Sequence, residues 1–119
     1  MSYPWLNEYL MSKKGVTKDF KEEWQWTRYF IGGKMYAAIC KNESGRDYLI
    51  TIKLNPMDGE FLREQYNDIT PGYYMNKIHW NSVNMDGVVP DEVLRDMIDK
   101  SYKLVFKGLT QKLQHEITR

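Results

Sequence analysis

The sequence is poor in cysteine and histidine: its 119 residues include one Cys, Cys40, and two His, His79 and His115. A single cysteine excludes an internal disulfide and is typical of proteins kept in a reducing compartment. The sequence also lacks an apolar run near the roughly 18 residues of a membrane-spanning helix. Its N-terminus lacks the basic and apolar stretches of a secretory signal. We therefore expect a cytoplasmic protein without a membrane segment.

Few side chains are spaced for catalysis or for metal binding. The two histidines are far apart and no cysteine pair accompanies them, so they match no zinc spacing. No glycine-rich phosphate loop or serine elbow is present. Cys40 lies in an apolar segment, where a buried thiol is the usual finding. We predict a protein that is not an enzyme and that holds no metal or other cofactor.

Charge is nearly balanced, with 17 basic and 16 acidic residues and a net charge of +1. Strong nucleic-acid binders usually have a clearly basic domain. The last part of the chain is different, because residues 100–119 carry five Lys or Arg side chains and one acid. Two interpretations stay open for Lys103, Lys107 and their neighbours. They complement the dipole of a helix end, or they face a polyanion.

Local patterns predict strands followed by a helix in the first half of the chain. Gly32 and Gly33 lie between two aromatic and β-branched runs, which is a hairpin signal because a tight primed turn needs positive φ. Residues 47–54 alternate between apolar and polar side chains, as a half-buried antiparallel strand does. Asn55 and Pro56 then form a helix start, as the N-cap and the first helical residue.

A long helix opens at Pro90, where apolar residues recur at helical spacing as far as Leu109. We expect residues 1–119 to form one α+β domain of two layers, with helices packed on one face of an antiparallel sheet. The predicted segments are a helix at 4–13, strands at 27–31, 34–41 and 47–54, a helix at 56–66, a loop at 67–72, a strand at 79–85 and the helix from residue 90, with an ambiguous and partly extended stretch at 20–26.

The segment 71–83 is rich in aromatic and amide side chains and begins with a Pro-Gly turn signal. Surface loops seldom carry so many large aromatics unless these pack or bind something. Tyr73, Tyr74 and Trp80 either cover one end of the sheet or stack on nucleic-acid bases. We expect Trp80 to be largely packed and Tyr74 to lie at the surface.

The polar side chains of this segment also have two interpretations. Asn76 and Asn81 either cap turns or hydrogen-bond a base edge or a partner backbone. Lys77 is the one positive charge here and can neutralise one phosphate. His79 is either a satisfied sheet residue or a ligand contact. We expect Asn76 and Lys77 to be exposed.

Together with residues 32–36, 62–66 and 101–105, this segment resembles the signature of the MmcQ/YjbR-like family of small bacterial domains. The pieces occur in the family's order, so the resemblance covers nearly the whole chain. It implies an α+β fold of the double-wing type and a DNA-binding role. The DNA contacts that it implies are Tyr73, Asn76, Lys77, His79, Trp80 and Asn81.

Two functional hypotheses follow. In the first, the protein is a monomer that binds DNA weakly through the segment 71–83, including Tyr74, and through Lys103 and Lys107 of the late basic helix. In the second, it is an interaction module that binds a protein or peptide through an aromatic surface around Tyr73 and Trp80.

The sequence supports each hypothesis by a different feature. The family resemblance and the basic C-terminal end favour DNA. The near-neutral net charge favours the interaction module. Ile78 favours it too, since family members commonly carry Lys at that position.

Overall fold

The computed structural model describes residues 3–72 and 75–119. None of the helices in this part of the chain combines the length and the apolar character needed to cross a membrane. In chain order the elements are α1 Leu6–Ser12, β1 Val16–Lys21, β2 Trp26–Ile31, β3 Lys34–Lys41, β4 Asp47–Lys53, α2 Pro56–Gln65, β5 Ile69–Pro71, β6 Trp80–Asn84, α3 Asp91–Lys107 and α4 Gln111–Thr118.

The six strands form one sheet in the order β1-β2-β3-β4-β6-β5, and every neighbouring pair is antiparallel. The first four strands make a meander, and Gly32 and Gly33 form the turn between β2 and β3 with φ angles of 58° and 80°. The chain then passes through α2 to the edge strand β5, and β6 returns between β5 and β4. The predicted α+β fold with an antiparallel sheet is confirmed.

The main core lies between one face of the sheet and the helices. Alternation along β4 turns Ile50 and Ile52 inward, and the helical periodicity of α3 places Leu94, Met97 and Ile98 against them. Burial of such aliphatic side chains is the main stabilising contribution to a fold of this size. α1, α2 and α4 add apolar side chains to the same core. In the described part of the chain, no helix therefore packs on the other face of the sheet.

Two strands differ from the sequence-based predictions. β1 begins well before the ambiguous stretch at 20–26, and four of its six side chains are exposed, so it shows no apolar alternation. β5 lies within the predicted loop at 67–72. It has only three residues, and it is a strand because Ile69 and Thr70 pair with Val83 and Ser82 of β6. Neither strand leaves a clear periodic signal in the sequence.

The predicted long helix also ends earlier than the apolar pattern indicates. α3 stops at Gly108, and the hydroxyl of Thr110 accepts a 3.2 Å hydrogen bond from the backbone N–H of Leu113. This side-chain cap starts α4 as a separate helix. Leu109 remains buried between the two helices, which explains why its position continued the apolar pattern.

Candidate functional site

The face of the sheet without helices carries a second, smaller apolar cluster. Trp26 lies opposite Cys40 in the register of β2 and β3, and Ala38 lies opposite Thr51 in that of β3 and β4. Residues that face one another across antiparallel strands share a face of the sheet. Trp26, Ala38 and Cys40 are buried together, and Met75 from the loop between β5 and β6 packs on them. Met75 therefore lies over the helix-free face.

A cleft of about 440 Å³ opens beside Met75 and is lined by Trp24, Trp26 and Lys41. Trp24 lies in the turn between β1 and β2, where Gln25 adopts a left-handed φ of 59°, and Trp26 is the first residue of β2. Their rings meet edge to face at 5.1 Å between centroids. Trp24 is 52% exposed. An exposed indole is thus held in a fixed orientation at the mouth of an apolar cleft, and we call these four residues the tryptophan cleft.

Two cations lie close to the Trp24 ring. The ammonium of Lys21 lies 5.2 Å from the centre of the Trp24 ring, and the guanidinium of Arg28 lies 5.9 Å from it. Arg28 also lies 5.1 Å from the ring of Phe30. Contacts within about 6 Å of a ring are attractive cation–π interactions. The edge of the cleft is therefore aromatic and carries cationic groups close to the Trp24 ring.

Each of these cations already has a carboxylate partner. Arg28 makes two hydrogen bonds to Asp19, of 2.8 and 2.6 Å, and these hold the pKa of Asp19 below its usual value. Lys21 pairs with Glu23 at 3.0 Å and likewise lowers the pKa of Glu23.

Lys41, at the edge of the cleft, pairs with Asp47 at 3.0 Å. Ion pairs near the surface contribute little to stability. The pairs around the cleft hold the cations in place, and an anionic ligand would compete with these carboxylates for them.

The structure places the predicted contact residues of the 71–83 segment differently from one another. Tyr73 and Tyr74 lie outside the described residues. Asn76 and Lys77 are exposed, as predicted. The Asn76 side chain accepts a 2.8 Å hydrogen bond from the backbone N–H of Ile78 and so also forms a local turn. His79 is half-buried, and its carbonyl accepts from Leu54 at 2.8 Å.

Trp80 and Asn81 belong to the interior rather than to the surface. Trp80 is only 9% exposed, which confirms the expectation that it is packed. Asn81 is fully buried on the helical side of the sheet. Its side chain accepts a hydrogen bond from Arg63 of α2 and donates one of 3.2 Å to the carbonyl of His79. Asn81 thus has a structural role, and its buried side chain does not reach the surface to contact DNA.

Lys103 and Lys107 are exposed on α3, which packs on the opposite side of the sheet from Met75 and the tryptophan cleft. The two parts of the predicted DNA surface therefore do not meet. Dipole complementation at the end of a helix accounts for Lys107, which lies in the last turn of α3.

The tryptophan cleft was not predicted as a site. A signal was present: Trp24 and Trp26 stand two residues apart among charged and polar neighbours, where large aromatics are unusual. Because residues 20–26 show no clear periodicity, the sequence did not indicate that these two side chains share a surface. Cys40 belongs to the floor beneath the cleft, and burial raises the pKa of its thiol to about 11. Within residues 3–72 and 75–119, no three His, Cys, Asp or Glu side chains are grouped to hold a metal ion.

A family model described as YjbR matches residues 11–104. The chain is 30% identical over 98 residues to the uncharacterized protein YjbR of Escherichia coli strain K12, an alignment that covers 82% of this chain and 81% of that protein. It is 34% identical over 87 residues to the uncharacterized protein YbdF of Escherichia coli O157:H7, which covers 73% of this chain and 70% of that protein.

Solved structures share the fold. The Deinococcus radiodurans protein DR2400, described as a DUF419 domain, matches with a TM-score of 0.84 and 29% identity, over 95% of this chain and 85% of that one. A crystal structure of a Pseudomonas syringae protein matches with a TM-score of 0.73 and 22% identity, over 87% of this chain and 98% of that one. At that identity the second match shows a common fold alone.

Proposed function

The chain belongs to the YjbR family, and from this premise we propose that it binds single-stranded DNA without catalysing a reaction. The observation that carries the proposal is the exposed Trp24 ring, which lies beside Trp26 with Lys21 and Arg28 close to it. Aromatic side chains interleaved with cations are the usual means of binding single strands, because every base offers a face for stacking.

The size and position of the tryptophan cleft support this function. Its volume of about 440 Å³ lies within the range of sites that accept a compact ring. A base stacked on Trp24 would lie in the cleft beside Met75, while the sugar-phosphate chain passed the cations at the edge. In a duplex the base faces are already stacked inside the helix, so we expect single strands to bind more tightly than duplexes.

The phosphate contacts would come from Lys21, Arg28, Lys41 and the exposed Lys77. Each contact on a single strand contributes about −0.7 to the slope of log K against log salt concentration, so four contacts give a slope of about −3. Binding should thus be weak and sensitive to salt. Lys103 and Lys107 take no part in this proposal, since they lie across the sheet.

The alternative of a peptide-binding surface around Tyr73 and Trp80 has less support. Trp80 is almost completely packed and offers little area to a partner. Tyr73 lies outside the described residues.

A titration of a fluorescein-labelled oligothymidine, followed by fluorescence anisotropy at low salt, tests the proposal. We expect Trp24→Ala to weaken binding about tenfold, because stacking of a base contributes about 1–3 kcal/mol. Phe61→Ala is the matched control, since Phe61 is an aromatic residue of similar exposure on the helical side. Absence of binding by the wild type, or an equal loss in both variants, would refute the proposal.

A further inference from the structure

The helical layer carries a second groove, between α2 and α3, with a volume of about 260 Å³. Its walls include Phe61 and Leu62 from α2, Tyr66 directly after that helix, and Val93 from α3. Small-molecule sites generally exceed about 300 Å³. This groove is better suited to receive a few side chains of a larger partner than to enclose a free ligand.

Apolar side chains stand exposed on α2, the helix that forms one wall of the groove. Phe61 is 58% exposed, and Met57, one helical turn earlier, is 82% exposed. Residues four positions apart lie on the same side of a helix, so these two form one apolar ridge on α2. An exposed apolar ridge beside a groove is typical of protein interaction surfaces.

The rim of the groove is acidic. Asp58, Glu92 and Asp96 contribute carboxylates, and Lys100 is the one cation among the described lining residues. Lys100 pairs with Asp96 at 3.0 Å. The pKa of Lys100 is raised, first through that hydrogen bond and also by the charges of Asp96 and Asp58. Acidic charge therefore exceeds basic charge around the apolar floor.

We propose that this groove binds a basic amphipathic helix of a partner protein. An apolar side chain of the partner would insert beside Phe61 and Val93, and its Lys or Arg side chains would pair with Glu92 and Asp58 at the rim. This is the helix-in-groove form of recognition, and complementary charge would set its specificity and its rate of association. Nucleic acid does not fit, because its phosphates would be repelled by the rim.

The chain's own basic C-terminal helix does not occupy this site. Leu113 and Ile117 of α4 pack on the main core, and Ile117 lies against Gly15. The groove also lies on the opposite side of the sheet from the tryptophan cleft. A protein partner and DNA can therefore be bound at the same time, and each surface provides control variants for the other.

A fluorescein-labelled peptide of Leu and Lys, arranged so that a helix has one apolar and one basic face, is the probe. We expect it to bind the wild type, and Phe61→Ala to weaken binding at least about tenfold, as loss of a central aromatic anchor does. Glu92→Gln should weaken it less and should reduce its salt dependence. Trp24→Ala should leave the affinity unchanged. Amide chemical-shift changes should be confined to α2 and the first half of α3.

Two further measurements keep the test decisive. A peptide of the same composition in shuffled order, without an apolar face, should bind at least about tenfold more weakly. Met57→Ala also removes an apolar side chain that the peptide would contact, and Met57 is too exposed for its loss to affect folding. Equal binding of both peptides, unchanged affinity in the Phe61 and Met57 variants, or shift changes at the tryptophan cleft would overturn the proposal. So would self-association of the wild type abolished by Phe61→Ala, because a second copy would then cover the groove.

Discussion

The hydroxyl of Ser101 donates a 2.7 Å hydrogen bond to the carbonyl oxygen of Tyr36, and both residues are fully buried. Tyr36 is the extra residue of a β-bulge, because Tyr29 pairs with Ala37 and Phe30 pairs with Met35. A bulged residue loses its regular place in the ladder, and a buried carbonyl needs a donor. The side chain of Ser101 supplies it and joins α3 to β3.

We predict that Ser101→Ala lowers the free energy of unfolding by about 1–3 kcal/mol, the usual cost of a buried acceptor left without a donor. Ser12→Ala is the control, because the Ser12 hydroxyl also donates to a carbonyl, that of Tyr9 at 2.6 Å, but at an exposed site. Its effect should stay within about 0.5 kcal/mol. Urea denaturation measures both variants, and similar losses would contradict the role given to Ser101.

Gly59 lies in the middle of α2 because the side chains of Arg63 and Asn81 come close to its backbone and leave no room for a side chain there. A Cβ atom at this position would come within 2.9 Å of both the Arg63 guanidinium and the Asn81 side-chain oxygen. Those two groups are hydrogen-bonded to each other. The absence of a side chain at Gly59 is what allows α2 to reach the buried Asn81.

We therefore predict that Gly59→Ala destabilises the protein, although the same change in an open helix would stabilise it by about 1 kcal/mol. Separating Arg63 from Asn81 leaves buried polar groups unsatisfied, at a cost of about 1–3 kcal/mol. Glu60→Ala, at the exposed neighbouring position, should change stability by less than about 0.5 kcal/mol. Thermal denaturation compares the two variants. A Gly59→Ala protein more stable than the wild type would show that Arg63 and Asn81 leave room for a methyl group at this position.

Much of the fold could be predicted from the sequence, because its determinants are local. The Gly32-Gly33 turn, the alternation before Asn55 and the periodicity after Pro90 each depend on neighbours along the chain. β5 could not be predicted, since Ile69–Pro71 is a strand only by its pairing with β6.

The candidate site was harder to predict, because its residues meet only through the sheet register. Trp24 and Trp26 lie at the junction of the β1–β2 turn and β2, whereas Lys41 and Met75 come from elsewhere in the chain. The pieces that resemble the family signature also meet in space. The hydrogen bond between Arg63 and Asn81 joins the segments 62–66 and 71–83. The hydrogen bond between Ser101 and Tyr36 joins the segments 101–105 and 32–36. In these contacts the signature residues support the fold rather than bind a ligand.

Alkaline pH should destabilise the protein through Tyr29. Burial raises the pKa of Tyr29 to about 12, and the charge of Asp47 adds to the shift. In the unfolded chain the pKa of Tyr is about 10. Because the folded protein holds this proton more tightly, the stabilisation is complete below about pH 10 and is lost as the pH rises towards 12.

We predict that the free energy of unfolding falls by up to about 2–3 kcal/mol across that range on account of Tyr29 alone. Tyr29→Phe should be less stable at neutral pH, since it loses the 2.8 Å hydrogen bond to Asn7. Its stability should then fall less steeply above pH 10. Urea titrations at a series of pH values measure this, and parallel curves for the two proteins would exclude Tyr29 as a cause.

Cys40 reports on whether the loop over the helix-free face opens. Its thiol is fully buried beneath Trp26 and Met75, and burial raises its pKa to about 11, although the contact with Thr51 partly opposes the shift. A buried thiol that stays protonated reacts slowly with disulfide reagents. We predict that Cys40 is not labelled by Ellman's reagent at pH 8 in the native protein and is labelled when urea unfolds it.

The matched variant is Met75→Ala, which removes the side chain that packs on the Cys40 cluster from the loop. It should speed labelling of the native protein by about tenfold or more if loop opening, rather than global unfolding, controls access. Oligothymidine bound in the tryptophan cleft should slow that labelling again, because a base stacked on Trp24 beside Trp26 would restrict the access of the reagent to the thiol. Rapid labelling of the wild type would mean that the cleft is open most of the time and cannot hold a base in a fixed position.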